Sequence, residues 1–406
     1  MSTMKFLILG FCFSPLLVRF EVTHAISCID PSNNFFSSLV HVNPAHLQPP
    51  ELTEQQKQSY TNDFTCEYIE PSETIPTSAH ALRPGDVKIV AALGDSLTAA
   101  NGAGATTIYG VVNNYRGLSF SSGGYYDESP FNSNNNDNVK QHFSLPNALK
   151  FYNPSIKGWA SGIAGPGEEN AALDEAVAGS KAINLTQQAK NLIKDLQDDP
   201  EYDYDNDWKL VTVFIGGNNL CQICTDSRST PDAYTADVQA ALDILQENLP
   251  KTFVNLLTIF NINVVSALGK DQFVCSKAHE CFCYCAMLDD AYSKITMQQY
   301  NGLYRDNIWE LIQTRRYDTR EDFTVVIQPF LQDVAPPFLE DGTPDLSYFA
   351  PDCFHFSKKG HNYAGEGLWN NMFQKTGSKK TYWVLGEELY CPTKEEPYIW
   401  TYFNSK

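Results

Sequence analysis

The sequence predicts a doubly wound α/β sandwich on a parallel sheet, and three observations carry that prediction. Four short β-branched apolar runs recur at wide spacing: Val87 to Leu93, Leu210 to Ile215, Phe253 to Ile262 and Phe323 to Ile327. Continuous runs of this kind are what strands buried on both faces look like. Helical patterns lie between them, which implies right-handed crossovers. Glycine-rich breaks, Gly94-Asp95-Ser96 and Gly216-Gly217-Asn218-Asn219, follow the first two runs directly. In open α/β sheets ligands bind beyond the carboxyl ends of the strands, so these breaks are where a site belongs.

Taken in chain order, residues 1–25 read as an export signal. Lys5 supplies the basic start, Phe6 to Val18 the apolar stretch, and Thr23-His24-Ala25 a small-residue cleavage site. The apolar stretch ends at Arg19, short of the ~20 residues a membrane span needs. Residues 26–85 carry proline clusters (Pro49-Pro50, Pro71, Pro76) and no clear period, and are expected to form an irregular N-terminal extension pinned by Cys28 and Cys66. The principal domain is assigned to 86–375. Within it Asn132 to Asn138 is a low-complexity loop, and helices are expected over Leu185 to Leu196, Asp232 to Glu247 and Ala286 to Thr314. Ala236, Ala240, Leu242 and Leu245 share one face of the second. Residues 376–406 form an irregular C-terminal extension tethered by Cys391.

Composition points to export as well. Of 11 cysteines, Cys12 leaves with the signal, and the even remainder suits oxidised pairs. Cys221-x-x-Cys224 and the cluster Cys275, Cys281, Cys283, Cys285 are expected to be local staples in two loops. Zinc is the competing reading of those spacings, and no matching His and carboxylate pattern supports it. The net charge of −19 argues against nucleic acid and against capture by anionic membranes. Asn184-Leu185-Thr186 is an N-glycosylation sequon. The mature chain is therefore expected to be soluble, secreted and extracellular, with no metal or other cofactor; its oligomeric state is not legible.

The chemistry is carried by a serine at a strand end, Ser96, and by Asp352 and His355, three residues apart far downstream. A serine hydroxyl needs a neutral imidazole to take its proton, and the imidazole needs a carboxylate to fix its tautomer and stabilise its charged form. No G-x-S-x-G occurs, so the nucleophile elbow of α/β-hydrolases is not the pattern here.

From about residue 86 onward the chain resembles the GDSL, or SGNH, hydrolases, and within them the phospholipase B-like branch. The resemblance rests on four ordered blocks: Gly94-Asp95-Ser96-Leu97 and the residues to Gly102, Tyr115-Arg116-Gly117-Leu118-Ser119-Phe120-Ser121, Trp208 to Gly216, and Asp352-Cys353-Phe354-His355-Phe356-Ser357. It implies a three-layer α/β/α sandwich with a flavodoxin-like parallel sheet. It also implies that Ser96 is the nucleophile, His355 the general base and Asp352 the residue that orients it. The oxyanion hole would combine the Ser96 backbone N–H, the Gly179 backbone N–H and the Asn218 side-chain amide, with Gly123 or Gly124 as rivals to Gly179. Asp95 reads as support for the turn and His361 as structural. One position departs from the family pattern: Asn219 stands where an Asp is common, keeping size but losing charge.

The activity this implies is hydrolysis of acyl esters of phospholipids and lysophospholipids through an acyl-enzyme, with transient contact with lipid aggregates. An esterase acting on acetylated glycans and a catalytically silent lipid-binding protein are the alternatives.

Overall fold

The computed structural model describes residues 64–125 and 142–406. The signal segment, Cys28 and the Asn132 to Asn138 loop lie outside them.

The strands are β1 (Val87–Gly94), β2 (Gly123–Tyr125), β3 (Ala160–Ser161), β4 (Trp208–Phe214), β5 (Thr252–Leu257) and β6 (Phe323–Gln328). β1, β4, β5 and β6 form one sheet in that order, parallel throughout. Its register aligns Val90 with Leu210, Leu210 with Phe253 and Phe253 with Thr324. Every residue of β4, β5 and β6 is buried, which is why these strands read as unbroken apolar runs rather than alternating ones.

The outer edge of β1 is completed in pieces. The Lys157 carbonyl accepts from the Val90 N–H at 3.0 Å, and the Glu175 N–H donates to the Ala92 carbonyl at 2.9 Å. The fifth position of a flavodoxin-like sheet is thus filled by two isolated bridges, Ile89 to Lys157 and Ala92 to Asp174. β2 and β3 form a separate small pair.

The helices are α1 (Leu145–Tyr152), α2 (Leu185–Asp198), α3 (Gly217–Cys221), α4 (Pro231–Asn248), α5 (Phe273–Phe282), α6 (Tyr284–Met287), α7 (Ala291–Gln313) and α8 (Lys358–Met372). α2, α4 and α7 pack side by side as one layer, while α1 and α8 pack on each other as a second, with the sheet between: a three-layer α/β/α sandwich. Local chemistry sets the helix starts. Ser144, Thr230, Asp290 and Ser357 each accept a backbone N–H from three residues on, and proline follows the first two caps.

Three sequence expectations change. The run Phe253 to Ile262 is a strand only to Leu257; Ile262 is apolar because it lines a cavity and opens a short 3₁₀ turn capped by Asn261. The helix expected over Ala286 to Thr314 begins at Ala291, where extended Leu288 and the Asp290 cap interrupt the pattern. The cysteine clusters are not local staples. Cys221 bonds Cys283 and Cys224 bonds Cys285, so the two loops are joined to each other. Cys275 bonds Cys353, and Cys66 bonds Cys391, coupling the two extensions. Cys281 is disulfide-bonded too.

The pieced edge of β1 holds a buried acid, Glu175. Burial first, and then the Asp195 carboxylate of α2, push its pKa up to about 8. The folded chain therefore keeps a proton that the unfolded chain releases near the ordinary glutamate value. The resulting stability is full below that value and is lost as pH rises through about 8. Glu175→Gln should flatten the fall in melting temperature between pH 5 and 9, read by thermal denaturation across that series.

Candidate active site

β1 delivers Ser96 to the carboxyl end of the sheet through a glycine with no room for a side chain. A Cβ on Gly94 would lie 2.1 Å from Thr98 Oγ1 and 2.5 Å from the Phe214 carbonyl. Gln188 of α2 clamps that residue from both sides, accepting from the Gly94 N–H at 2.8 Å and donating to its carbonyl at 2.9 Å. Asp95 then takes the Leu97 N–H at 3.0 Å, which makes it the support of the turn, as its place in the motif suggested. Burial lifts the Asp95 pKa to about 6, while the Leu97 N–H and the charge of nearby His355 pull against that rise. Ser96 is 6% exposed, and it lines a cavity at the carboxyl end of the sheet together with Leu97, Phe260 and Phe356.

The second glycine break supplies the opposite lip. Gly216 adopts φ +126°, which a side chain would resist, and Gly217 opens α3. Asn218 lines the same cavity as Ser96 and uses one amide hydrogen on the Ser180 carbonyl at 3.0 Å, leaving the other for a ligand. Asn219 is buried and accepts the Ala182 N–H at 3.0 Å. That task needs only an acceptor, which an amide provides as a carboxylate would.

Gly179 sits in the Val177 to Ser180 turn, with φ +79° and Ser180 N–H donating to the Val177 carbonyl at 3.0 Å. The turn lies against the end of β1, where the Val177 N–H meets the Gly94 carbonyl at 3.3 Å. Among the described residues no hydrogen bond takes the backbone N–H of Ser96 or of Gly179. The rivals are placed differently. The Gly123 N–H is spent on the Ser119 carbonyl at 2.9 Å and Gly124 packs against Trp159; none of the three glycines is among the residues that line the cavity.

Asp352 and His355 share one tight turn. His355 Nδ1 lies 2.6 Å from Asp352 Oδ2, while Asp352 Oδ1 accepts the N–H groups of Phe354 at 3.0 Å and His355 at 3.1 Å. Burial opposes the Asp352 charge, but the His355 ring and the two backbone N–H groups outweigh it and hold the carboxyl below its ordinary pKa. Nδ1 is thereby committed to the carboxylate, and Nε2 is the nitrogen open to a hydroxyl. Phe354 and Phe356, on either side of His355, line the cavity that Ser96 and Asn218 line. No hydrogen bond joins Ser96 Oγ to the His355 ring in this structure; such contacts often tighten only with substrate in place. His361 accepts the Phe120 N–H at 3.3 Å and stacks on Phe120, a packing role.

Arg116 stands in the Tyr115 to Ser121 block, which by its sequence assigns it no task. Wholly buried, it donates to the carbonyls of Ala164, Asp174 and Ala176 at 2.9, 2.7 and 2.6 Å and meets Asp174 Oδ1 at 2.8 Å. It therefore bolts down the segment that leads into the Gly179 turn. Arg116→Met should cost about 3–5 kcal/mol, because Asp174 is left buried without its partner; urea unfolding measures this. The motif's invitation lay in an arginine among small residues, a pattern that marks no ligand until the carbonyls it reaches are known.

An α/β/α sandwich with a serine at the first strand end and an Asp-oriented histidine beside its cavity has the build of a serine hydrolase. The sequence profile of the GDSL-like lipase/acylhydrolase family matches residues 90–368, and the chain belongs to that family. It is 40% identical over 84% of its length to human "Phospholipase B1, membrane-associated", 38% identical over 84% to the rat protein of that name, and 36% identical over 97% to the mouse one. The chain spans only 23% of the human and rat proteins and 28% of the mouse protein. A solved acetyl esterase structure with acetate ion covers 69% of this chain at 13% identity and TM-score 0.31, a likeness too slight to argue from.

Proposed function

We propose that this chain is an exported serine esterase that cleaves acyl esters of phospholipids and lysophospholipids. The observation that supports it best is the 2.6 Å pairing of Asp352 with His355 beside a cavity that holds Ser96 and Asn218 and is walled mostly by apolar side chains. Ile262, Val265, Pro336, Phe349 and Trp383 are among them, a lining suited to a fatty chain. In this reading His355 takes the Ser96 proton as Oγ attacks the ester carbonyl. The resulting oxyanion is met by the Ser96 and Gly179 N–H groups and the free Asn218 hydrogen. Collapse expels the alcohol, which leaves with the proton from His355. Water, deprotonated by the same ring, then adds to the acyl-enzyme, and the fatty acid departs as Ser96 regains its proton.

Disulfides at Cys66, Cys221, Cys224, Cys275 and their partners support an oxidising, extracellular setting. No helix among the described residues is long and apolar enough to cross a membrane. Asn184 is exposed, as a glycosylated asparagine must be.

A fluorophosphonate probe together with lysophosphatidylcholine tests the reading. Ser96 should be the labelled residue, and fatty acid should be released. Release of acetate from acetylated glycans without fatty acid would move the substrate class, and absence of labelling would leave a binding protein.

A further inference from the structure

Cys353, between Asp352 and His355, adopts φ +55°, a left-handed conformation in which a residue with a side chain is strained. Such a backbone persists where its surroundings over-determine it, and here one helix face grips it twice. Cys275 of α5 bonds the Cys353 sulfur, and His279, one turn further on, places Nε2 3.0 Å from the Cys353 carbonyl. A carbonyl can only accept, so His279 Nε2 carries the proton; Nδ1 is buried with no hydrogen-bond partner. Burial lowers the His279 pKa, against the pull of the Cys353 and Asp352 backbone and the Asp352 charge, so the ring is a neutral donor. A cation there would oppose the imidazolium that His355 becomes. Phe282, at the end of the same helix, sets its ring edge-on to His355 at 5.6 Å, and Phe354 packs between His279 and Phe282.

We infer that His279 is a positioning residue: through the Cys353 carbonyl it fixes the turn that aims His355 Nε2. The inference rests on the serine-esterase reading above. It also explains why a histidine stands in a cysteine cluster that otherwise suggested zinc, since its donor nitrogen is committed to the backbone.

His279→Leu removes the donor, while His279→Gln keeps an amide N–H close to the Nε2 place. The leucine variant should lose about 10- to 100-fold in kcat and in fluorophosphonate labelling rate at little-changed KM, the scale of a small misplacement of a reacting group. The glutamine variant should recover most of both. The far-downfield NMR resonance of the proton between His355 and Asp352 gives a readout that needs no turnover: it should vanish by exchange in the leucine variant and persist in the glutamine one. Leucine kinetics within twofold of the parent, equal losses in both variants, or an unchanged resonance would overturn the positioning role. If the parent protein is not labelled at Ser96, the esterase reading fails instead, and the resonance alone then decides whether His279 holds the turn.

Discussion

Ser96→Ala is expected to lower turnover of a lysophospholipid by roughly 10⁴- to 10⁶-fold, and His355→Ala by a comparable factor. Alanine removes the hydroxyl that the proposed function assigns to the acyl-enzyme, yet disturbs little else. The 94–97 turn is held by Gly94 through Gln188 and by Asp95 through the Leu97 N–H, not by the serine hydroxyl. The double variant should be no slower than either single one, because the hydroxyl and the imidazole act as one unit. Steady-state release of fatty acid measures all three. Near-normal hydrolysis by the serine variant would remove Ser96 from the chemistry.

Asp352→Asn should cost about 10⁴-fold in kcat. The amide can still accept the Phe354 and His355 N–H groups through its oxygen, so the turn survives. Its other atom is now a donor facing Nδ1, which forces the proton of His355 onto Nε2, the nitrogen that must accept from Ser96. The same change has a stability signature. Asp352 has a folded pKa below its unfolded value, so its contribution is present at neutral pH and is lost as pH falls through that lowered value. The asparagine variant lacks this dependence. Its melting temperature should decline less steeply in acid, measured on the same samples as kcat. A variant with full activity would show that the tautomer of His355 is set elsewhere.

Legibility in the sequence followed how local the physics is. Burial on both faces writes itself into composition, so all four strands of the main sheet were readable, and the helices over 185–198 and 231–248 nearly so. The edge of β1 was not. It is filled by Lys157 and by Leu173 to Glu175, fragments too short to carry a period, recruited by the unpaired backbone of the neighbouring strand. Phe260 and Ile262 misled in the opposite direction, since a cavity wall is as apolar as a strand. The aspartate and histidine were readable because three residues and one turn join them.

By itself the sequence determined which groups are available: a serine after a buried strand, an amide after a second, an aspartate and histidine close enough to pair without help. Local chain geometry and burial are enough for that. Tertiary structure alone decided the cysteine pairings and the task of Arg116. In each case the deciding contact joins residues remote in the chain: Cys275 with Cys353, and Arg116 with the carbonyls of Asp174 and Ala176. A bond partner is fixed by where packing brings two segments together, and no pattern along the chain records it.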